Sequence, residues 1–204
     1  MEEMGYPNQA LANDIKPIRD DMILAGPAFT IKGIGDYNDD TDMRANRINL
    51  FSNMKQFGVP LIYVRESGGD KIVAHYGEMT AALGRACGVV GALIDGGTRD
   101  TGFLLKQDFP VFSEYRSPVE AFGRWSYYQW QIPVALRGAL TKVVMVRPGD
   151  FVFGDLDGVV IIPREIVVDV LQRTETLVND ENTDRSDYES GIDPTEVYRR
   201  RGRL

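Results

Sequence analysis

Cysteine and histidine are almost missing from this chain, with one of each in 204 residues. The single thiol, Cys87, excludes an intrachain disulfide framework and a cysteine-cluster zinc site. It falls on the apolar side of an expected helix, where a packed thiol is the ordinary outcome rather than a nucleophile. With His75 as the sole imidazole, a multi-histidine metal site is excluded, and any Ser-His-Asp or Cys-His mechanism must pass through that residue. His75 precedes a helix start and reads as a surface or capping residue. Metal ligands are therefore mostly oxygens, which suits Mg²⁺, Mn²⁺ or Ca²⁺ rather than zinc. A basic excess is missing too. The 23 Lys and Arg stand against 30 Asp and Glu, a net charge of −7, so no nucleic-acid partner is expected. Arg199, Arg200, Arg201 and Arg203 are the exception, and in so acidic a body they are expected in solvent or on a neighbouring subunit's acids. There is no long uncharged apolar run and no signal peptide, so the expectation is a soluble, cytoplasmic protein with no membrane partner.

What the chain does have is 43% hydrophobic residues, enough for one real domain plus an appendage. Its most telling stretch is Gly88-Val-Val-Gly-Ala-Leu-Ile-Asp-Gly-Gly-Thr-Arg-Asp100. Val89 to Ile94 reads as a short buried strand, Gly96 and Gly97 let the backbone turn, and Arg99 and Asp100 fall where a helix starts. Strand ends are where α/β proteins commonly place their chemistry. A guanidinium beside a carboxylate sets an anion clamp next to a hard-cation ligand. A plainer reading of the same residues makes Asp100 the N-cap of a helix Thr101 to Gln107 and pairs Arg99 with a surface acid.

Along the chain, Met1 to Asp21 forms an irregular or short helical lead-in and Met22 to Ile34 a strand. Gly33 and Gly35 lack the later glycine and acidic partner of a dinucleotide loop. Asp36 to Asp42 is a solvated acidic turn, Asn46 to Phe57 a helix and Val59 to Val64 a buried strand. Gly77 to Cys87 is a second helix whose stripe of Met79, Ala82, Leu83 and Ala86 is expected in the core. Gly77 at its start bares backbone N–H groups able to hold a carboxylate. Further strands are expected around Pro110 to Ser113 and within Pro133 to Val146 and Phe151 to Pro163. A closing helix follows from Arg164 to Asn179, then a charged linker from Asp180 to Asp187 and a short helix from Pro194 to Arg201. Strands and helices interleave without strict alternation, which predicts a layered α/β domain rather than a doubly wound sheet.

Taken in order, five segments resemble the RraA-like family, which includes the 4-hydroxy-4-methyl-2-oxoglutarate/4-carboxy-4-hydroxy-2-oxoadipate aldolases. They are Gly77-Glu-Met-Thr80, the Asp-Gly-Gly-Thr-Arg-Asp run ending at Asp100, Phe109-Pro-Val-Phe112, Pro148-Gly-Asp150, and Gly154-Asp-Leu-Asp-Gly-Val-Val-Ile-Ile-Pro163. The likeness is specific in combination rather than in any one piece. It implies an αββα sandwich of the swivelling-domain type over residues 1–163, followed by a C-terminal helix and tail over 164–204. It also implies a homotrimer or hexamer with active sites between subunits. The activity implied is that of a divalent-metal lyase, cleaving pyruvate from a 4-hydroxy-2-oxo acid or decarboxylating oxaloacetate. Carried over by position, Asp100 would ligate Mg²⁺ or Mn²⁺, and Arg99 would bind the keto or enolate oxygen. The amides of Gly77, Glu78, Met79 and Thr80 would hold the substrate carboxylate. Glu78 stands where these aldolases place an acid beside the metal's water. The physics agrees, because carbon–carbon cleavage leaves a pyruvate enolate that a hard cation and Arg99 together stabilise. Glu78 then offers a proton path where no histidine is placed for it.

Between Arg116 and Pro133 the chain departs from many family aldolases, carrying Arg124, Trp125, Tyr127, Tyr128 and Trp130. These could line a substrate pocket or cover a subunit interface, with interface packing the first expectation. The alternative function is a non-catalytic, protein-binding regulator of a ribonuclease, which needs no metal; Glu78 favours the enzyme. A methyltransferase would need a glycine-rich cofactor loop that the chain lacks.

Overall fold

The apolar run of the central motif becomes the middle of a sheet. In chain order the elements are β1 (Lys16–Pro17), β2 (Leu24–Gly35), α1 (Met43–Lys55), β3 (Leu61–Glu66), β4 (Ala74–Tyr76), α2 (Glu78–Ala86) and β5 (Val89–Thr98). There follow α3 (Thr101–Lys106), β6 (Val111–Arg116), β7 (Trp125–Trp130), β8 (Val134–Arg137), β9 (Val143–Val146), β10 (Phe151–Gly154) and β11 (Val159–Ile162). These come from a computed structural model that describes residues 1–35 and 43–201, without the side chains of residues 43, 44 and 201. The acidic stretch Asp36 to Asp42 and Arg203 lie outside the described residues.

The sheet runs β1-β6-β5-β3-β2-β10-β11, with β4 beside β5 and β7 beside β2, while β8 and β9 form a separate hairpin. Its centre, β2-β3-β5-β6, is parallel. A parallel centre is covered on both faces, which is why its strands read as apolar runs instead of alternating. In β5 every residue but Val90 is buried. Antiparallel strands close both sides of this centre. Helix α2 packs on β5 and α1 on β7, giving a mixed α/β fold.

Three expectations are corrected. Gly96 and Gly97 do not turn the chain; they sit inside β5. A Cβ on Gly96 would lie 2.6 Å from His75 Nδ1, and one on Gly97 2.4 Å from the Tyr115 ring. Close approach of neighbours, with an irregular register between Ile94 and Gly97, is what demands glycine there. His75 is no surface residue but a 3% exposed member of β4. The stripe on α2 is not core: Met79 and Leu83 are 66% and 41% exposed, and the helix buries Thr80, Ala81 and Gly84 instead. Small residues on that face let α2 lie close to β5, and the larger ones point outward.

The contacts divide the chain into units Met1–Arg164 and Glu165–Leu204. In the second, α4 (Val167–Glu189) and α5 (Pro194–Arg201) are the helices. The charged linker expected at Asp180 to Asp187 is helical, the continuation of α4. Its charges pair along the helix, with Arg185 reaching Glu181 at 3.2 Å and Asn182 at 2.6 Å, spacings that support helix rather than break it. Arg200, expected without a partner in its own segment, pairs with Asp187 at 3.2 Å.

Candidate active site

Strand β4 lies parallel to β5, with Tyr76 opposite Thr98. Their C-terminal ends therefore emerge side by side, and α2 and α3 both start there. The junction is tied by the Arg99 N–H and the Thr98 hydroxyl, which both donate to Tyr76 O at 2.9 and 3.0 Å. Asp100 follows with φ 57°, a left-handed conformation unfavourable for a residue with a Cβ. It occupies the N-cap position of α3 but makes no side-chain cap bond. Its carboxylate crosses instead to α2, where Oδ2 accepts from the Glu78 N–H at 3.3 Å and lies 3.6 Å from Arg99 Nε. The plain N-cap reading therefore holds for the backbone position and not for the side chain. At Gly77 a Cβ would come within 2.6 Å of Asp100 Oδ2 and 3.1 Å of Arg99 Cγ. Only glycine leaves room for both groups at the start of α2.

These groups open onto a cavity of about 170 Å³. Gly77, Met79, Thr80, Arg99 and Asp100 line it, together with Arg47, Arg65, Trp125 and Tyr127. Glu78 is not on its wall. The Glu78 carboxylate accepts from Gln107 Nε2 at 2.8 Å, which braces α2 against the end of α3. The Thr80 N–H returns to Gly77 O at 3.1 Å, so its amide is spent inside the helix, and its hydroxyl accepts from Arg47 Nη2 at 3.2 Å. Of the aromatic segment, Trp125 and Tyr127 are buried and line the cavity, whereas Tyr128 is 56% exposed. The first half of β7 is buried and the second half is not.

Sequence reasoning missed three charged residues here. Glu120 lies 3.4 Å from Arg99 Nη2, so this one guanidinium faces two carboxylates. Arg47 and Arg65 carry no motif that could have flagged them. His75 was considered and misplaced: its Nδ1 accepts from the Gly97 N–H at 3.1 Å, and Nε2 lies 3.2 Å from Asp70 Oδ2. Burial, and then the charge of Arg65, push its pKa down to about 3. It is a neutral buttress for the glycines of β5 rather than a base.

Among the described residues no three His, Cys, Asp or Glu side chains converge as a metal cage. That excludes from them a zinc or calcium centre built wholly of protein ligands. Mg²⁺ behaves differently, keeping several waters and taking one or two carboxylates with substrate oxygens. Asp100, with its side chain 41% exposed on the cavity and strained into position, fits that mode.

Fold and site together define a mixed α/β protein with an arginine–aspartate pair at the carboxyl ends of parallel strands. The chain belongs to the RraA-like family, whose Aldolase/RraA model matches residues 1–161. It is 26% identical over 165 residues to a Halalkalibacterium halodurans protein named "Putative 4-hydroxy-4-methyl-2-oxoglutarate aldolase", covering 81% of this chain and 71% of that one. Among solved structures, one described as of "novel cellulases from microbes associated with the gut ecosystem" is 33% identical, with a TM-score of 0.79 over 90% of this chain and 78% of that chain. Streptomyces coelicolor RraAS2, described as an unusual member of the RNase ES inhibitor RraA protein family, shares the fold at 18% identity. Its TM-score is 0.75, over 91% of this chain and 88% of that one. No helix among the described residues is long and apolar enough to cross a membrane.

Proposed function

We propose that this protein is a divalent-metal-dependent lyase acting on small 2-oxo acids, by retro-aldol cleavage of a 4-hydroxy-2-oxo acid or by oxaloacetate decarboxylation. The observation that carries this reading is the meeting of Arg99, Asp100 and the glycine-opened start of α2 at one cavity. Asp100 would hold Mg²⁺ or Mn²⁺, which when bound supplies Lewis-acid charge to a keto oxygen. Arg99 brings a fixed positive charge to the oxygen that becomes an enolate, and its planar fork orients that oxygen relative to a carboxylate. Gly77 carries no side chain, so a substrate carboxylate can approach the first turn of α2, where the Met79 N–H lies in the unpaired N-terminal turn. Trp125 and Tyr127 wall the cavity and keep water from the developing charge. The aldolase name of the halalkaliphile relative supports the same reading. A glycosidase would need two carboxylates facing each other across a cleft, whereas Asp100 and Glu120 both face the one guanidinium of Arg99.

The experiment follows pyruvate release from oxaloacetate and from a 4-hydroxy-2-oxo acid, with Mg²⁺ or Mn²⁺ and with EDTA. Metal-dependent pyruvate release supports the lyase, and none with either substrate removes it. The second reading, a protein-binding regulator of a ribonuclease, draws on Met79, Leu83 and Phe103, exposed at 66, 41 and 62% on α2 and α3. The same apolar face suits assembly into a homotrimer or hexamer, which light scattering measures.

A further inference from the structure

Arg65 is among the largest fully buried side chains, 1% exposed near the end of β3. Among the described residues it has no carboxylate within ion-pair distance. Its guanidinium carbon lies 5.1, 4.5 and 4.7 Å from the ring centroids of Tyr63, Trp125 and Tyr127. Nη2 donates to the Tyr63 hydroxyl, the Tyr127 hydroxyl is a second hydrogen-bond partner of the guanidinium, and Nε has none. The Trp125 indole is locked in place by its N–H, which donates to Ser67 O at 2.9 Å. Arg47, on the same cavity, also has an unpartnered Nε. A buried cation without an anion is strongly unfavourable, and aromatic faces offset only part of that. Burial raises the Tyr127 phenol, but the charge of Arg65, the hydrogen bond with Tyr63 and then the charge of Arg47 together draw it below its ordinary pKa. Arg65 and Arg47 place two positive charges at this end of the cavity. The three rings crowd the Arg65 guanidinium, and a carboxylate would pair with its in-plane N–H groups.

We infer that Arg65, assisted by Arg47, forms a second anion subsite that takes the distal carboxylate of a dianionic oxo acid whose pyruvate end lies at Arg99. The identity of that pyruvate end rests on the lyase reading above; the subsite rests on a buried guanidinium that has phenol partners and no carboxylate among the described residues. The subsite also selects between the two reactions. Decarboxylation requires the departing carboxylate to give up its charge as CO₂, which a paired guanidinium opposes. Retro-aldol cleavage leaves it ionised throughout. The C3–C4 bond breaks and its electron pair becomes the enolate at C3. The C4 hydroxyl loses its proton to base as C4 becomes a carbonyl that still bears the carboxylate, and C3 then takes up one proton. No oxidant or reductant enters. Arg65 therefore favours cleavage over loss of CO₂.

The test compares the wild-type protein with Arg65→Met and Arg47→Gln in two measurements. The first is pyruvate release with Mg²⁺ from 4-hydroxy-2-oxoglutarate and from 4-hydroxy-2-oxopentanoate, in which a methyl replaces the distal carboxylate. Oxaloacetate decarboxylation is followed alongside. The second is tryptophan fluorescence on titration with unreactive 2-oxoglutarate and 2-oxopentanoate. The wild type is expected to prefer the dianion about tenfold in both, the worth of one charge-assisted hydrogen bond. Arg65→Met brings both ratios near one and lowers the ratio of cleavage to decarboxylation. An equal response to the two ligands in the wild type, or a preference that survives Arg65→Met, overturns the subsite. Binding preference without turnover of any substrate keeps the subsite and removes the lyase reading. Arg47→Gln, at a half-buried position, gives a partial loss if the subsite is real and no change in either ratio if it is not.

Discussion

Arg137 and Arg65 both lie against the sheet, and the structure treats them oppositely. Arg137 reaches Asp14 at 2.6 Å, Glu114 at 2.6 Å and Asp95 at 3.5 Å, and Lys71 pairs with Glu114 as well. Arg65 has three aromatic rings around it and, among the described residues, no carboxylate. In the first region the chain supplies its own counter-charge, so the charges cross-link β5, β6 and β8. In the second the described residues supply no carboxylate, and that is where the anion subsite is proposed. A paired buried ion reports on the fold, and an unpaired one on function.

The largest expected effects lie on the receiving side. Asp100→Ala should abolish metal-dependent turnover while the fold survives, because its side chain is 41% exposed and caps no helix. Arg99→Lys should be nearly as damaging as Arg99→Ala, each lowering kcat/KM about 10²–10³-fold, since lysine keeps the charge and loses the fork. Full activity of Asp100→Ala at limiting metal, or near wild-type rates in Arg99→Lys, would break the assignment.

Stability should then separate the half-buried Arg137 from the buried Arg65. Arg137→Met leaves Asp14, Asp95 and Glu114 facing one another and is expected to cost about 2 kcal/mol, moderated because its side chain is 37% exposed. Arg65→Met removes an uncompensated charge from an aromatic box and should cost nothing, or stabilise by about 1 kcal/mol. Urea midpoints for the pair decide this. A large loss with Arg65→Met and none with Arg137→Met would reverse the comparison.

Protonation sharpens the same contrast, with opposite signs on the two sides. On the cavity side, His75 is held near pKa 3 against 6.5 in a free chain, by burial first and then by Arg65. The unfolded chain gains this proton below pH 6.5 and the native one does not. Its contribution is full above 6.5 and is lost as pH falls from 6.5 towards 3, roughly 2 kcal/mol by pH 5. In the paired cluster, burial and the neighbouring Glu114 raise Asp95 to about 7 from 3.8. That contribution is full below 3.8 and is lost as pH rises from 3.8 to 7. Asp95→Asn should therefore be more stable than wild type at pH 8, with the advantage shrinking towards pH 5. Urea titrations across pH 4 to 8 measure both slopes, and a pH-independent difference for Asp95→Asn would exclude a titrating Asp95.

What the sequence made legible, and what it hid, follows from the same physics. Strand β5 was readable because a parallel central strand is apolar throughout, and the meeting of Arg99 and Asp100 at its end because the two are adjacent in sequence where the strand stops. Arg65 was unreadable, since a lone arginine in Leu61 to Glu66 looks like any solvated charge until β7 brings Trp125 and Tyr127 over it. His75 and the outward stripe of α2 were misread for a related reason. Periodicity tells which residues share a face but not which face meets the sheet, and on α2 the small residues Ala81 and Gly84 won that contact. The helical run through Asp180 to Asp187 was hidden because its stabilising pairs are polar ones.

Glu78 and Asp100 supply the smallest and sharpest test. Both are acids at the start of a helix beside the cavity, and the family resemblance gives both a role in catalysis. The structure separates them. Asp100 turns away from its own helix onto the site, whereas the Glu78 carboxylate is already satisfied by Gln107 at 2.8 Å. A carboxylate so held serves packing between α2 and α3, and glutamine in its place keeps an acceptor oxygen for the same bond. Glu78→Gln is therefore expected to change kcat by less than about threefold and to leave its pH profile unmoved, since losing a proton-transfer group costs about 10²–10⁴-fold. Gln107→Ala should free the Glu78 side chain with an equally small effect. A collapse of kcat in Glu78→Gln with KM unchanged would instead show that this carboxylate leaves Gln107 during turnover and carries the proton itself.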